Sequence, residues 1–206
     1  MAEFILVLGT HNSKKKAELV EILEPHGVRL RTLSEFPTAL NVVESGQTFA
    51  ENARLKAVQQ ARHLQHWVLG EDSGLSVDAL HGAPGVFSAR FSGETATDAS
   101  NNALLLERLR DVPLDHRTAY YTCHVVVADP EGNVRLEVES TCRGRILESP
   151  RGHGGFGYDP LFEIPEYHRT FGELGSSVKA VLSHRGRALR QILPPLIRLV
   201  ETRATH

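Results

Sequence analysis

Apolar residues recur along the chain with two spacings, one typical of buried strands and one typical of helices that pack on one side. Continuous apolar runs predict strands buried on both faces. Apolar positions three and four residues apart, between a capping residue and glycine or proline, predict helices. Later the period changes to two, and the polar segment 129–133 predicts a hairpin turn. The predicted strands are 4–9, 28–33, 67–70, 118–128 and 134–141, and the predicted helices are 14–23, 48–63 and 97–108.

Several helix boundaries carry their own chemical signals. Ser13 is expected to cap the first helix, and Thr48 the second, with Glu51 reaching back to Thr48 in a capping box. The last helix is expected to start near Ser183 and to break or restart at Pro194-Pro195, because proline cannot continue the hydrogen-bond pattern of a helix. Together these elements predict an α/β fold with a mixed sheet, in which βα units come first and a hairpin follows.

Composition limits the classes of function. The 206 residues are 41% hydrophobic, enough for a substantial core, and no apolar run approaches the ~20 residues of a membrane span. The net charge of −2 argues against a protein that coats polynucleotides, which needs a basic surface. Two cysteines without a C-x-x-C motif, Cys123 and Cys142, exclude a disulfide scaffold and a cysteine zinc site. The sequence therefore predicts a cytoplasmic protein with one domain over 1–206, and it favours an enzyme.

The segment between the first strand and the first helix has the features of a phosphate-binding turn. Such a turn presents backbone N–H groups and the positive end of a helix dipole, and here hydroxyl, amide and lysine side chains add donors. It is not a P-loop, which requires G-x-x-x-x-G-K-[ST], and a capped helix with a solvated lysine face stays an equal alternative. The residues of this turn are Thr10, His11, Asn12, Ser13, Lys14, Lys15 and Lys16.

A glycine-rich loop over 152–159 is the second candidate. Its first six residues match G-x-G-x-x-G, but Pro160 excludes the helix that a dinucleotide-binding fingerprint requires. Its four glycines still let the backbone approach a flat ligand, and Phe156 or Tyr158 could stack on that ligand. An ordinary glycine-rich loop is the alternative.

Carboxylates collect at Glu44, at Glu51 and at the pair Glu71-Asp72. The pair follows the predicted third strand and opens a predicted loop over 71–85, at the sheet edge where open α/β proteins bind ligands. Carboxylates without clustered cysteine or histidine suit Mg²⁺, which usually also binds phosphates. A helix cap or a surface ion pair is the alternative for each of them. No G-x-S-x-G motif is present, so a serine hydrolase is unsupported.

Six short segments, taken in their order along the chain, carry a stronger signal than any one of them. The first three residues of each segment are Thr10-His11-Asn12, Thr48-Phe49-Ala50, Glu71-Asp72-Ser73, Gly82-Ala83-Pro84, Gly154-Gly155-Phe156 and Ser183-His184-Arg185. In this order they resemble the inosine triphosphate pyrophosphatase family (dITP/XTP pyrophosphatases), and the similarity runs from about Phe4 to Leu196.

The resemblance implies hydrolysis of ITP, dITP and XTP to the monophosphate and pyrophosphate, with Mg²⁺ required. It also implies a homodimer, and an elongated mixed sheet flanked by helices, with two lobes and a cleft between them. Asp72 is then the proton acceptor. The implied metal ligands are Glu44, Asp72 and Glu71, the last of which directly precedes Asp72. Lys15 and Lys56 act at the triphosphate. The implied substrate contacts are Thr10, His11, Asn12, Ser13, Lys14, Lys15, Ser73, Phe156, Gly157, Tyr158, Asp159, Lys179, His184 and Arg185.

Selection of hypoxanthine over adenine needs a donor at the six position of the purine, where hypoxanthine has an oxygen and adenine an amino group. Arg185 or the backbone N–H groups of 156–158 could supply this hydrogen-bond donor. In adenine the same donor would face the amino group, which is itself a donor. Two alternatives stay open: a nucleotide pyrophosphatase of broader specificity, and a nucleotide-binding regulator without turnover. The expected partner is thus a purine nucleoside triphosphate, not a polynucleotide or a membrane.

Overall fold

A single mixed sheet organises the protein, whose computed structural model describes residues 4–26 and 28–204. The strands in this part of the chain are β1 (Ile5–Leu8), β2 (Arg29–Thr32), β3 (Trp67–Val77), β4 (Thr118–Ala128), β5 (Val134–Ile146), β6 (Phe162–Ile164) and β7 (Arg169–Thr170). Their order across the sheet is β2-β1-β3-β4-β5-β6-β7. β1 pairs in parallel with β2 and β3, whereas β6 pairs antiparallel with β5 and β7. The predicted α/β class with a mixed sheet is confirmed.

Helices flank the sheet, and short 3₁₀ turns link several elements. Among the described residues the helices are α1 (Ser13–Leu23), α2 (Phe49–Leu64), α3 (Asp98–Arg108), α4 (Ser176–Leu182) and α5 (His184–Ala204). None of these helices is both long and apolar enough to cross a membrane. Sequence spacing predicted four of them, and the short helix α4 was missed.

Two of the predicted caps differ in detail from the structure. Asn12, not Ser13, caps α1, because its side-chain oxygen accepts from the backbone N–H groups of the second and third helical residues. Thr48 caps α2 as predicted, through the N–H of Glu51. The Glu51 carboxylate accepts from the N–H of Gln47 instead of that of Thr48, so the capping box is not closed.

β3 continues well beyond the predicted strand end at Gly70. The segment 71–77 was predicted as the start of a loop, but it stays extended and buried, with only Ser73 partly accessible to solvent. Leu75 and Val77 keep the period of two and enter a core, which favours continuation of the strand. Glu71 and Asp72 therefore lie inside a strand, not in a loop.

α5 runs through Pro194 and Pro195 without a break, contrary to the prediction. Apolar side chains before and after the prolines, including Ile192 and Leu196, pack in the same core, and this burial outweighs the lost backbone hydrogen bonds. The predicted start near Ser183 is correct within one residue.

The described residues form two compact units. The first contains the described residues up to Asp72, together with Cys123–Ser140 and the segment from Arg185 onward. The second contains Ser73–Thr122 and Thr141–His184. The first unit has a core on each face of its strands, and the second has a core of its own with the stacked rings of Phe162 and Phe171.

Candidate functional site

The alternation of β3 separates two neighbouring carboxylates in the first unit. Successive side chains of a strand point to opposite faces, so Glu71 shares the face of Leu69 and Asp72 the face of Val68. Leu69 packs in the core that includes α1 and α5 residues, and Val68 in the core that includes α2 residues. Each carboxylate therefore meets different partners.

Asp72 lies at the centre of a polar cluster on the α2 side. Its Oδ1 accepts from Lys56 Nζ at 2.9 Å, and its Oδ2 accepts from Asn52 Nδ2 at 3.2 Å. Lys56 Nζ also contacts Glu44 Oε2 at 3.2 Å, so one ammonium joins both carboxylates. Asn52 and Lys56 are one turn apart on α2, which presents both to β3.

The α2 side of β3 has room for these contacts because Gly70 lacks a side chain. A Cβ at Gly70 would lie 2.4 Å from the carbonyl oxygen of Ala53 and 2.6 Å from the backbone nitrogen of Ala57. The helix backbone thus approaches the strand directly beside Asp72. A glycine at this position is a requirement of the packing.

Burial and charge act in opposite directions on this cluster. Burial raises the pKa of Asp72 above its ordinary value, and the ammonium groups of Lys56 and Lys15 offset only part of that effect. Burial alone would lower the pKa of Lys56, but the nearby carboxylates, foremost Asp72, outweigh it and raise that pKa. Lys56 therefore stays charged, and Asp72 is a better proton acceptor than an exposed aspartate.

Glu71 lies in a second charged cluster, on the opposite face of β3. Its Oε2 is 3.2 Å from Lys15 Nζ, and its Oε1 accepts from Arg185 Nη2 at 3.2 Å and from Cys123 Sγ at 3.3 Å. Arg185 also donates through Nη1 to Glu18 of α1. Glu71 and Arg185 are almost completely buried, and the two acidic and two basic groups of the cluster balance.

The turn before α1 places Lys15 three residues after its cap, Asn12. Asn12 Oδ1 accepts from the N–H groups of Lys14 and Lys15, and the N–H of Asn12 donates to Thr10 Oγ1. His11, Ser13 and Lys14 are exposed. The predicted phosphate turn is thus an ordered, solvent-facing segment with cationic side chains.

Glu44 and Asp72 fit a magnesium ion, whereas Glu71 lies outside their cluster. Mg²⁺ in nucleotide enzymes is usually bound by one or two carboxylates, with water and phosphate oxygens completing the coordination. Glu44 and Asp72 meet this requirement, because both contact the same ammonium and Glu44 is partly exposed. Within residues 4–26 and 28–204, no three acidic, histidine or cysteine side chains form a metal-binding group.

The second unit gathers another group of predicted site residues around Asp159. The Asp159 Oδ2 atom accepts from Lys179 Nζ at 2.7 Å and from the N–H of Phe156 at 2.7 Å. Lys179 Nζ also lies 4.3 Å from the centre of the Phe156 ring, in a cation–π contact. Gly155 has a φ of +73°, and a Cβ there would lie 2.0 Å from Asp159 Oδ2. The glycine-rich loop is therefore closed around a buried ion pair.

Two residues of α3 hold the next residue of this loop. Asp98 Oδ2 accepts from the N–H of Gly157 at 3.0 Å, and Asn102 Nδ2 donates to its carbonyl oxygen at 3.0 Å. Asp98 and Asn102 are four positions apart and share one face of α3. Tyr158 is anchored in the same unit, since its hydroxyl donates to the carbonyl oxygen of Ser88 at 2.8 Å.

Comparison with known proteins shows the family of the chain. The sequence profile described as the Ham1 family matches residues 6–194, nearly the whole chain. The chain belongs to the Ham1 family. The segment matched includes both charged clusters of the first unit and the glycine-rich loop of the second.

Individual relatives of this Ham1 chain match over nearly their full length. A dITP/XTP pyrophosphatase of Rhodopirellula baltica is 56% identical over 202 residues, 98% of this chain and 97% of the relative. A dITP/XTP pyrophosphatase of Desulforamulus reducens is 50% identical over 94% of this chain and 96% of its own. The structure of a HAM1 protein from Coxiella burnetii superimposes with a TM-score of 0.87 and 38% identity, over 95% of this chain and 99% of that one.

Three further residues predicted to contact the substrate, Ser73, His184 and Arg185, lie at different places in the Ham1 chain. Ser73 is half-buried in β3. His184 is buried in the second unit, where its ring stacks on Tyr121 with centroids 4.6 Å apart. Arg185, predicted to contact the base, has its guanidinium on Glu18 and Glu71. Its role at the substrate stays a prediction.

Four polar residues of these clusters were not singled out from the sequence as site residues. Asn52 lies four residues before Lys56 and Glu18 three residues after Lys15, so helical spacing from these lysines could have indicated them. Asp98 and Asn102 had no such signal, because their partner is a backbone group of a distant loop.

Proposed function

We propose that this Ham1 protein hydrolyses non-standard purine nucleoside triphosphates, ITP, dITP and XTP, to the monophosphate and pyrophosphate with Mg²⁺. The observation that carries the proposal is the cluster of Asp72, Lys56 and Glu44, which combines a buried carboxylate, a charged lysine and a second carboxylate. The names of the relatives at 50–56% identity point to the same substrates. Mere binding of a nucleotide requires no carboxylate that acts as a base.

The triphosphate is assigned to the first unit. A nucleoside triphosphate carries roughly four negative charges, so its site must supply cations and donors. Lys56 and Lys15 supply two ammonium groups, and the turn over 10–14 adds hydroxyl, amide and lysine donors. Cleavage between the α- and β-phosphates then releases pyrophosphate, which these cations stabilise as it leaves.

Asp72 and Glu44 are the residues that would hold Mg²⁺. When bound, the ion neutralises phosphate charge and makes a coordinated water more acidic. Asp72 would orient the attacking water and accept its proton. Asn52 and Lys56 fix the direction of this carboxylate through one hydrogen bond to each oxygen.

Recognition of the purine is assigned to the glycine-rich loop of the second unit. Phe156 offers a flat ring for stacking, and Asp159 fixes that ring through the backbone and through Lys179. The N–H groups of Phe156 and Gly157 already donate to carboxylates. We therefore assign the donor for the six-position oxygen of hypoxanthine to the N–H of Tyr158.

The resemblance also supports a homodimer that works in the cytoplasm, as part of this proposal. Light scattering of the purified protein coupled to size-exclusion chromatography tests the first point: a mass of twice 22.8 kDa is expected. A monomer at micromolar concentration would contradict it.

The test of the function is a product analysis with purified protein. Incubation with ITP and Mg²⁺ is expected to give IMP and pyrophosphate in equal amounts, with no release of orthophosphate, and EDTA is expected to abolish the reaction. Equal rates on pyrimidine triphosphates would favour the broader pyrophosphatase. Tight ITP binding without pyrophosphate release would favour the regulator.

A further inference from the structure

Glu71 has the surroundings of a residue that holds other side chains in place. It is 1% exposed, and three groups surround its carboxylate: the Lys15 ammonium forms an ion pair at one oxygen, and Arg185 and Cys123 donate to the other. Its neighbour Asp72 faces the other side of β3, where Glu44 lies. These contacts of Glu71 lead to Lys15 at the phosphate turn.

We propose that Glu71 is a positioning residue that fixes the ammonium of Lys15 for the substrate phosphates, and that it is not a ligand of the magnesium ion. This inference rests on the proposed function, because Lys15 is assigned there to the triphosphate. Lys15 has a long flexible side chain and is partly exposed, with 16% of its side chain accessible. One ion pair to a buried, immobile carboxylate removes much of that freedom before the substrate binds.

The rest of the cluster keeps Glu71 itself immobile. Arg185 bridges Glu71 to Glu18, and Glu18 lies on α1, three residues after Lys15. The lysine and the glutamate on α1 therefore face the same strand and helix end. Cys123 adds a neutral donor from β4, and burial beside Glu71 raises the pKa of its thiol well above the ordinary value, so it stays protonated.

Glu71→Gln separates this role from a simple effect of charge. An amide has one acceptor oxygen, and Arg185 and Cys123 both donate to the same oxygen of Glu71. We expect the amide oxygen to stay with these two donors, so that the NH₂ group faces Lys15 and displaces its ammonium. A simple loss of negative charge would instead strengthen the binding of anions at Lys15.

The first experiment measures binding of inorganic pyrophosphate by calorimetry in EDTA. Glu71→Gln is expected to raise the Kd about ten- to hundredfold, the range of a charge-assisted hydrogen bond. Lys15→Met should raise it by a similar factor, and the double variant should be no weaker than Lys15→Met alone. An unchanged or lower Kd in Glu71→Gln, or losses that multiply in the double variant, would overturn the proposal.

The second experiment distinguishes positioning from metal binding by activity. At saturating ITP, the Mg²⁺ concentration for half-maximal rate in Glu71→Gln is expected to stay within twofold of wild type, while the KM for ITP rises. A tenfold higher Mg²⁺ requirement with an unchanged Kd for pyrophosphate in EDTA would make Glu71 a metal ligand and refute the proposal.

Two variants guard against a merely structural effect. Glu163→Gln removes another buried carboxylate, paired with Arg145 and Arg151 in the second unit, and should destabilise the protein without changing the Kd for pyrophosphate. Glu71→Asp keeps the charge but has a shorter reach, and should raise the Kd severalfold even if Glu71→Gln does not fold. A wild-type Kd in Glu71→Asp would contradict the proposal.

The two proposals can fail separately. If the wild type releases no pyrophosphate from ITP, the proposed function fails, yet the pyrophosphate Kd values of the Glu71 and Lys15 variants still test the positioning role. If the wild type is active and those Kd values do not change, the proposed function stands and the role of Glu71 fails.

Discussion

At the scale of single residues, the partners of a carboxylate decide what it can do. Asp72 and Glu71 are adjacent and both buried, but Asp72 contacts an amide and an ammonium, whereas Glu71 contacts two cations and a thiol. Burial raises the pKa of Asp72 although Lys56 offsets part of that effect, and this carboxylate shares the Lys56 ammonium with Glu44 at the candidate metal site. The carboxylate of Glu71 instead contacts cations and a thiol of its own chain.

Asp72→Asn is expected to lower kcat for ITP hydrolysis about 10²- to 10⁴-fold, the usual contribution of a positioned base. The amide cannot accept a proton and is a poorer metal ligand. Steady-state pyrophosphate release, with folding checked by circular dichroism, measures the effect. Turnover within fivefold of wild type would show that Asp72 is not the proton acceptor.

Glu163→Gln is expected to change stability and its dependence on pH. Burial alone would raise the pKa of Glu163, but hydrogen bonds from Arg145 and Arg151 outweigh it and lower that pKa. A carboxyl group whose pKa is lowered in the folded state stabilises the protein at pH values above its pKa in the unfolded state, about 4.3. This contribution is lost as the pH falls through the folded-state pKa. The free energy of unfolding of wild type should therefore exceed that of the variant by about 1–3 kcal/mol at pH 7. Thermal unfolding from pH 3 to 7 should show the two curves converge in acid; a constant difference would contradict the assignment.

At the scale of elements, close packing of α2 on β3 brings Lys56 and Asn52 to Asp72. The contact depends on Gly70, where the helix backbone leaves no space for a side chain. An error in this packing moves both partners of Asp72 together, because they lie on one helix.

Gly70→Ala is expected to cost about 1–3 kcal/mol of stability, the usual cost of overpacking, and to lower kcat/KM for ITP as α2 moves away from β3. Thermal unfolding and steady-state kinetics measure both. Gly175→Ala is the matched control, since a Cβ there would meet nothing within 4 Å. Wild-type activity in Gly70→Ala would show that the close contact of α2 with β3 does not determine the geometry of the site.

Asn102→Ala is expected to lower kcat/KM for ITP about three- to tenfold and to reduce the preference for ITP over ATP, because the loop residue Gly157 loses one of two contacts to α3. Asn133→Ala, which removes the hydrogen bonds from the Asn133 side-chain amide to Asp129 in the hairpin turn, is the control and should leave the preference unchanged. An unchanged ratio of kcat/KM for ITP to kcat/KM for ATP in Asn102→Ala would show that α3 does not contribute to recognition of the base.

Element types followed from local patterns better than element ends did. Apolar runs and helical spacing identified β1, α1 and α2, because those signals lie within the elements themselves. The extension of β3 past Gly70 and the passage of α5 through two prolines depend on cores built from distant segments, which local propensity does not contain. The cap of α1 shifted by one residue because Asn12 offers a better-placed acceptor than Ser13.

At the scale of the whole molecule, the chain passes between its two units several times, so each unit draws on distant segments. The order of motifs along the chain indicated the phosphate turn, Asp72 and the loop at Phe156 without any knowledge of these contacts. The partners of Glu71 could not be predicted in the same way, because the face of β3 that it occupies became clear only once the strand was seen to continue.

The central claim, selective hydrolysis of non-standard purine triphosphates, is tested most directly by kcat/KM for pyrophosphate release from ITP and from ATP under the same Mg²⁺ concentration. A site that donates a hydrogen bond to the six-position oxygen should favour ITP by at least about 100-fold. Equal kcat/KM values for ITP and ATP, or no pyrophosphate from either, would contradict the account.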